Sequence, residues 1–190
     1  IIIKDRTATD NWNVYNSRSR NTSHMHLNLT NAASGSSSYW NTTTPTSSVF
    51  SLGSSSAVNA NGNNFIAYCF AEKQGFSKFG SYTGNGSTDG TFVYTGFKPA
   101  WVMVKKTSGA DDWGLFDNKR DVDNVTEHLL RANTNGAEEV FANFKMDFLS
   151  NGFKFRSTDG KMNGSGATYI YMAFAENPFV SSTGVPATAR

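Results

Sequence analysis

Residues 169–175 read YIYMAFA and residues 65–71 read FIAYCFA, and these two stretches decide the fold prediction. Apolar side chains occupy both faces of each stretch, as in a central β-strand between two layers. The two stretches are 104 positions apart, and each leads into the same Phe-Ala-Glu triplet, at 70–72 and 174–176. We therefore predict that they form the same strand in two copies of one unit.

The similarity between the two halves extends beyond this strand. The matching positions keep one order along the chain, with offsets that drift from 101 to 104. This pattern is typical of tandem copies that differ by small changes in their loops. The aligned positions are 1–4 with 102–105, 10–16 with 111–117, His26 with His128, Asn31 with Asn133, and 47–72 with 151–176.

The second copy has a prefix of strand-like sequence, residues 79–101, which has no counterpart before Ile1. We expect the first copy to lack its N-terminal strands, which leaves one sheet edge short of a neighbour unless another chain supplies it. The predicted organisation is a first repeat at 1–72, a complete second repeat at 73–176 and an extended tail at 177–190.

Strand and turn signals dominate the rest of the chain. Asn-Gly and Asp-Gly pairs, as at Asn151-Gly152 and Asp159-Gly160, separate short runs rich in aromatic and β-branched residues. Residues 135–148 could form a helix or, equally, a strand and a loop, while the corresponding residues 34–46 are rich in Ser and Thr and not helical in character. We predict an all-β protein made of tandem β-sandwich or jelly-roll-like repeats, with the first copy incomplete.

Composition excludes several classes of protein. Seventeen Lys and Arg against fifteen Asp and Glu give a net charge of only +2. Since nucleic-acid binding normally needs a larger excess of positive charge, we expect no nucleic-acid partner. Apolar runs are too short to span a membrane, so we expect no membrane insertion. Cys69 is the single cysteine, which excludes an internal disulfide and a Cys-based zinc cluster.

The candidate ligand-binding residues are aromatic side chains near loops and carboxylates beside a ring. Carbohydrate sites commonly combine an aromatic platform with carboxylate acceptors, because sugar CH faces stack on rings while their hydroxyls donate hydrogen bonds. For the Asp-Trp element the competing interpretation is a turn in which Asp caps its own backbone and Trp enters the core. The candidates are Tyr39, Trp40, Tyr82, Asp111, Asp112 and Trp113.

No catalytic constellation emerges from the sequence. Glu72 and Glu176 are equivalent strand-end residues, a position more typical of ion pairs than of a glycosidase carboxylate pair. His24 and His26 share one face of a strand, yet no Cys and no acidic residue with suitable spacing completes a metal site. We expect no catalytic residues, no bound metal and no cofactor.

The motifs taken together resemble a β-rich domain of uncharacterised function in virion structural proteins of tailed bacteriophages, notably marine phages and cyanophages. The resemblance covers essentially the whole chain, more weakly in the first copy. The residues that carry it are 80–86 (GSYTGNG), 96–105 (GFKPAWVMVK), Asp112-Trp113, 147–154 (DFLSNGFK), 163–177 and 185–190.

This resemblance implies a part of a tail fibre or similar appendage, located on the virion outside the cell. Such appendages are commonly homo-oligomers, often trimers, and contact other virion proteins. We expect a non-enzymatic structural module that binds a host-surface glycan if it is adhesive. The alternatives are a polysaccharide-degrading enzyme domain and a secreted lectin-like or filament subunit, for which the composition would look much the same.

Overall fold

A computed structural model describes residues 1–140 and 143–177. The chain divides into two compact units, Ile1–Phe70 and Ala71–Arg190. The predicted boundary after residue 72 and the predicted tail at 177–190 stay predictions, and the tail lies outside the described residues from position 178 onward. Strands make up most of the regular structure, which confirms the all-β prediction.

The first unit is built on one antiparallel sheet with the strand order β4-β3-β2-β1-β5. Two four-residue helices lie between β4 and β5, and a serine side chain caps the first turn of each one, from Ser36 and Ser55. The elements are β1 (Ile2–Asp5), β2 (Asn13–Val14), β3 (Ser23–His26), β4 (Ser34–Gly35), α1 (Ser37–Trp40), α2 (Ser56–Asn59) and β5 (Phe65–Tyr68).

The core of this unit forms where the helices meet β1. Trp40 of α1 and Val58 of α2 are buried with Ile3 and Tyr15. The indole N–H of Trp40 donates to the carbonyl of Ser23 at 3.0 Å, so its polar atom is satisfied inside the core. The helical turn at 37–40 differs from the expectation for residues 34–46, because burial of Trp40 and the Ser36 cap outweigh the low helix propensity of serine.

The prediction that residues 65–71 form a strand covered on both faces is wrong. β5 is the last strand of its sheet in the described residues, and Ile66 and Tyr68 are 37% and 44% exposed. Apolar composition correctly predicted a strand here. The exposure of its side chains depends on which other parts of the chain pack against it, and composition does not specify them. The stretch 169–175 does lie in a central strand, between β8 and β6.

The second unit contains a six-stranded sheet with the order β11-β10-β9-β8-β14-β6 and a three-stranded sheet with the order β12-β13-β7 in the described residues. All the pairings recorded for these strands are antiparallel. The strands are β6 (Ser77–Thr83), β7 (Phe92–Tyr94), β8 (Pro99–Lys106), β9 (Trp113–Asp117), β10 (His128–Arg131), β11 (Glu139–Val140), β12 (Met146–Leu149), β13 (Gly152–Phe155) and β14 (Thr168–Ala175).

One apolar core is shared by the two sheets of this unit. Val102, Val104 and Tyr171 from the larger sheet and Phe153 and Phe155 from the smaller sheet belong to the same buried cluster. Period-two alternation in β13 places both Phe side chains on this inner face and leaves Lys154 on the outer face. Within residues 135–148, the described part forms β11 and the start of β12, so the strand-and-loop alternative is confirmed there.

No helix in the described part of the chain is long and apolar enough to cross a membrane.

Candidate ligand-binding surface

Two aromatic residues predicted to be exposed are core residues. Trp40 is 1% exposed and Tyr82 is 9% exposed. The Tyr82 hydroxyl donates to the carbonyl of Met162 at 2.7 Å, and its ring stacks on Tyr169 with centroids 4.9 Å apart. The prediction that these two rings are exposed is therefore wrong, because a single sequence does not distinguish an aromatic residue that fills a core from one that faces solvent.

The Asp-Trp element at 111–113 is a structural corner. Trp113 is 2% exposed, so the competing interpretation, in which Trp enters the core, is confirmed. Asp112 lies 3.1 Å from Nε of Arg131 and 3.6 Å from Nζ of Lys161, and Asp111 lies 3.8 Å from Nζ of Lys106. Both carboxylates are partly exposed, and ligand binding by them stays a prediction.

An asparagine from a neighbouring strand end holds this corner in place. Oδ1 of Asn133 accepts the backbone N–H of Trp113 at 2.8 Å, and Nδ2 donates to Oδ1 of Asp112 at 2.8 Å. In the first unit, Asn28 accepts the N–H of Trp12 at 2.9 Å and donates to Oδ1 of Asn11 at 2.9 Å. Asn28 thus makes the contacts in the first unit that Asn133 makes in the second, whereas the sequence comparison aligned Asn133 with Asn31.

Tyr39 is the one candidate ring that is only partly buried, and it stacks on a histidine. Its ring lies 3.7 Å from that of His24, centroid to centroid, and His26 lies edge-on to His24 at 5.2 Å. Burial lowers the pKa of His24, and the neighbouring His26 lowers it further. No group of three or more His, Cys, Asp or Glu side chains in the described residues is placed to hold a metal ion. Ligand binding by Tyr39 stays a prediction.

The strand-end carboxylates considered for catalysis are ion-paired. Glu72 contacts the ammonium of Lys78. Glu176 accepts from Lys98 at 2.8 Å and from Nδ2 of Asn118 at 2.8 Å. Each of these carboxylates thus has its own cationic partner, which is the arrangement expected of structural ion pairs.

Sequence reasoning missed a surface on the small sheet of the second unit. Phe92 and Tyr94 of β7 are 44% and 63% exposed, while Val93 between them is buried. Pairing places Tyr94 opposite Gly152 and Phe92 opposite Lys154, so all four positions lie on the outer face of this sheet. Alternation of an inward Val with two outward aromatic residues was the available signal, since soluble proteins normally turn such rings inward.

Charged side chains border these two rings. Asp89 lies 2.5 Å from Nζ of Lys154 and 3.4 Å from a guanidinium nitrogen of Arg156. Arg156 also contacts Asp147 through Nε at 2.5 Å. The hydrogen bond from Lys154 is the main reason that the pKa of Asp89 lies below its ordinary value. Asp89 is therefore ionised at neutral pH, and both oxygens of its carboxylate are acceptors for hydroxyl donors.

Glycine keeps the sheet surface low beside the rings. A Cβ atom on Gly152 would lie 3.0 Å from Cε2 of Phe92, and one on Gly96 would lie 3.6 Å from the hydroxyl of Tyr94. Two exposed rings at alternate positions of a strand are roughly 7 Å apart along it. We call Phe92, Tyr94, Asp89, Lys154 and Arg156 the outer-face strip. It offers apolar stacking area next to fixed donors and acceptors, which suits a flat polar ligand such as a sugar.

The family model described as "Domain of unknown function (DUF7483)" matches residues 1–178. No curated protein and no solved structure matches the chain.

Proposed function

This chain belongs to the DUF7483 family of domains of unknown function, and we propose that it is a non-enzymatic structural module of a virion appendage that binds surface glycan through its outer-face strip. The exposed pair Phe92 and Tyr94 is the observation that carries the binding part of this proposal. The appendage part rests on the resemblance to virion proteins of tailed bacteriophages. In such an appendage the chain would be extracellular, assemble as a homo-oligomer such as a trimer, and contact other virion proteins.

We infer that the two units are tandem copies of one β-sandwich or jelly-roll-like unit. The strand order β4-β3-β2-β1-β5 of the first sheet parallels the order β11-β10-β9-β8-β14 of the second, where β6 adds one further strand. The registers correspond as well. Ile2 pairs with Tyr68 and with Val14, and Met103 pairs with Met172 and with Leu115.

Side-chain contacts support the same proposal. Nζ of Lys4 donates to the next carbonyl in the chain, that of Asp5, and Nζ of Lys105 donates likewise to the carbonyl of Lys106. Equivalent lysines thus turn back on equivalent carbonyls. Asn28 and Asn133 add a second repeated contact, because each accepts the backbone N–H of a tryptophan. The sequence comparison had not matched these two residues, so this contact supports the repeat independently of it.

Binding to a neutral or acidic glycan is the chemistry that the outer-face strip suits best. The rings provide CH–π stacking area, and the Lys154 and Arg156 donors lie beside the Asp89 acceptor. A simple anion would contact the cations but not the two exposed rings. A nucleic-acid groove would need more uncompensated positive charge than this ion-paired strip carries.

A glycan-array screen followed by titration of the best ligand tests this proposal. We expect the wild-type chain to bind a surface polysaccharide, and Tyr94→Ala and Phe92→Ala each to weaken binding on the order of tenfold or more, as aromatic hot spots do. Val122→Ala is the matched control, because Val122 is 82% exposed and lies outside the strip. Binding that survives loss of both rings, or no binding to any host polysaccharide, would refute the adhesive function.

A further inference from the structure

The outer edge of β5 presents backbone groups that are free of ladder partners in the described residues. The N–H of Arg6 donates to the carbonyl of Asn64 at 2.8 Å. Because hydrogen-bonded pairs alternate along antiparallel strands, Ile66 and Tyr68 direct their backbone groups toward β1. Phe65 and Ala67 therefore direct their N–H and C=O groups away from β1, along the edge of the sheet.

In the second unit, the corresponding edge is covered. β14 pairs with β8 on one side and with β6 on the other. The bonds from Gly84 N–H to Ala167 and from Ala175 N–H to Phe76 place Tyr169 and Tyr171 among the residues bonded to β6. These two are the counterparts of Phe65 and Ala67 at the offset of 104. A β6 strand thus covers on β14 the edge that β5 leaves open.

A second feature points to the same occupant. Nδ2 of Asn163 donates to Oδ1 of Asn85 at 2.8 Å and to the carbonyl of Ser87 at 2.9 Å, and so binds the loop that follows β6. It also donates to the carbonyl of Ser157 at 2.8 Å. Asn59, its counterpart, keeps the last of these contacts, donating to the carbonyl of Gly53 at 3.0 Å.

A surface cavity lies beside Asn59 in the first unit. Its lining combines residues 52–54 and Asn59 with Ser37 and Ser38 of α1 and residues 41–42 that follow α1. At the offset of 104, the counterparts of Gly53 and Asn59 are Ser157 and Asn163. The side chain of Asn163 donates both to the carbonyl of Ser157 and to that of Ser87, which lies in the loop after β6. The first unit therefore has an open strand edge at β5 and a surface cavity that reaches Asn59.

We propose that β5 accepts a strand of the β6 type, followed by its Gly-Asn-Gly-Ser loop, from another unit of the same family. The incoming strand runs antiparallel to β5 and bonds Phe65 and Ala67, and its loop binds Asn59. This is β-strand addition, in which main-chain bonds supply affinity and side-chain pockets supply specificity. The inference rests on the proposed equivalence of the two units and links successive units of an appendage edge to edge.

Hydrogen exchange of the full chain with a synthetic peptide of residues 76–89 (FSKFGSYTGNGSTD) tests this inference. We expect the amides of Phe65 and Ala67 to exchange quickly in the chain alone. Saturating peptide should then slow their exchange on the order of tenfold or more. The amides of Ile66 and Tyr68 are internal controls, because β1 already protects them. A scrambled peptide of the same composition is the control for sequence.

Two variants separate the strand contact from the loop contact. Ala67→Pro removes an outward N–H, which an edge strand tolerates, and should abolish peptide binding while leaving the Ile66 and Tyr68 amides protected. Asn59→Ala should weaken binding, and Asn63→Ala, outside the cavity, should not. Absence of protection at about 1 mM peptide, equal binding of the scrambled peptide, or unchanged binding to Ala67→Pro would overturn the inference.

The same experiments distinguish strand addition from self-association of β5, and they are independent of the test for glycan binding. Protection of Phe65 and Ala67 that grows with protein concentration, without peptide, would assign the edge to self-association of β5 and overturn the proposal. Glycan binding by the outer-face strip is measured separately, so its loss leaves the strand addition standing, and the reverse also holds.

Discussion

Asn28 and Asn133 perform the same task in the two units: each side chain accepts the backbone N–H of a tryptophan and donates to the side chain that precedes that tryptophan. One amide group thus satisfies two polar partners at a strand start, beside the buried Trp113 in the second unit and the partly buried Trp12 in the first. The two residues lie 105 positions apart, which is one more than the largest offset that the sequence comparison indicated. The shared contacts match Asn133 with Asn28, whereas the sequence comparison matched it with Asn31.

Replacing either asparagine should destabilise its own unit. We expect Asn28→Ala and Asn133→Ala each to lower the free energy of unfolding by about 1–3 kcal/mol, because a partly buried N–H loses its acceptor. Urea denaturation measures the loss, and exchange of the Trp12 or Trp113 amide locates it. Asn31→Ala is the control, since Asn31 is exposed, and an equal loss in that variant would contradict the assignment.

Lys105 should make stability depend on alkaline pH. Its side chain is fully buried, and this burial lowers its pKa from 10.5 to about 8. Between these two values the unfolded chain binds more protons than the folded chain, so stability rises with pH through this window and the cost is fully present below pH 8. The shift corresponds to about 3 kcal/mol.

The variant Lys105→Met should therefore remove that rise, and Lys4→Met should keep it. Both lysines donate to the next carbonyl along the chain, but Lys4 is only partly buried. The free energy of unfolding measured from pH 7 to pH 11 for the three proteins decides the matter. An identical pH dependence in wild type and Lys105→Met would show that this ammonium is not the group responsible.

Acidification should loosen the first unit through His24 and His26. Burial lowers the pKa of His24 and that of His26 below the ordinary 6.5. Stability from the neutral rings is therefore present above pH 6.5 and is lost as the pH falls through the lowered values. We expect the Met25 amide of β3 to lose protection on acidification in wild type, and to lose less in His24→Phe, which keeps a ring against Tyr39.

Amides of β14 serve as the internal control for this acid effect, since β14 belongs to the other compact unit. Equal loss of protection in β3 of wild type and of His24→Phe would rule out His24 as the cause.

Gly84 should tolerate no side chain. A Cβ atom there would lie 2.3 Å from the carbonyl oxygen of Gly164, and backbone atoms cannot move away as a flexible side chain does. We expect Gly84→Ala to cost about 1–3 kcal/mol, the usual cost of overpacking. Gly136→Ala, where the nearest atom is 3.6 Å away, should change stability by less than about 0.5 kcal/mol in the same thermal denaturation experiment.

Local patterns predicted the strands well, because alternation and turn chemistry act over a few residues. Residues 153–156 show this, since Phe153 and Phe155 are buried and Lys154 lies on the opposite face, as the period of two requires. The candidate rings were harder to place. The core contains Trp40, Tyr82 and Trp113, whereas Phe92 and Tyr94 face outward. Both groups are aromatic, so hydrophobicity does not distinguish them.

The amino-acid sequence by itself determined most of the strand-forming segments and the turns between them, because both depend on backbone preferences that act over a few residues. Only the tertiary structure decided which side of each strand has a neighbour. The stretches 65–71 and 169–175 are similarly apolar, yet one lies at a sheet edge and the other between β8 and β6. Burial is a property of what surrounds a segment in space, and distant parts of the chain supply those surroundings.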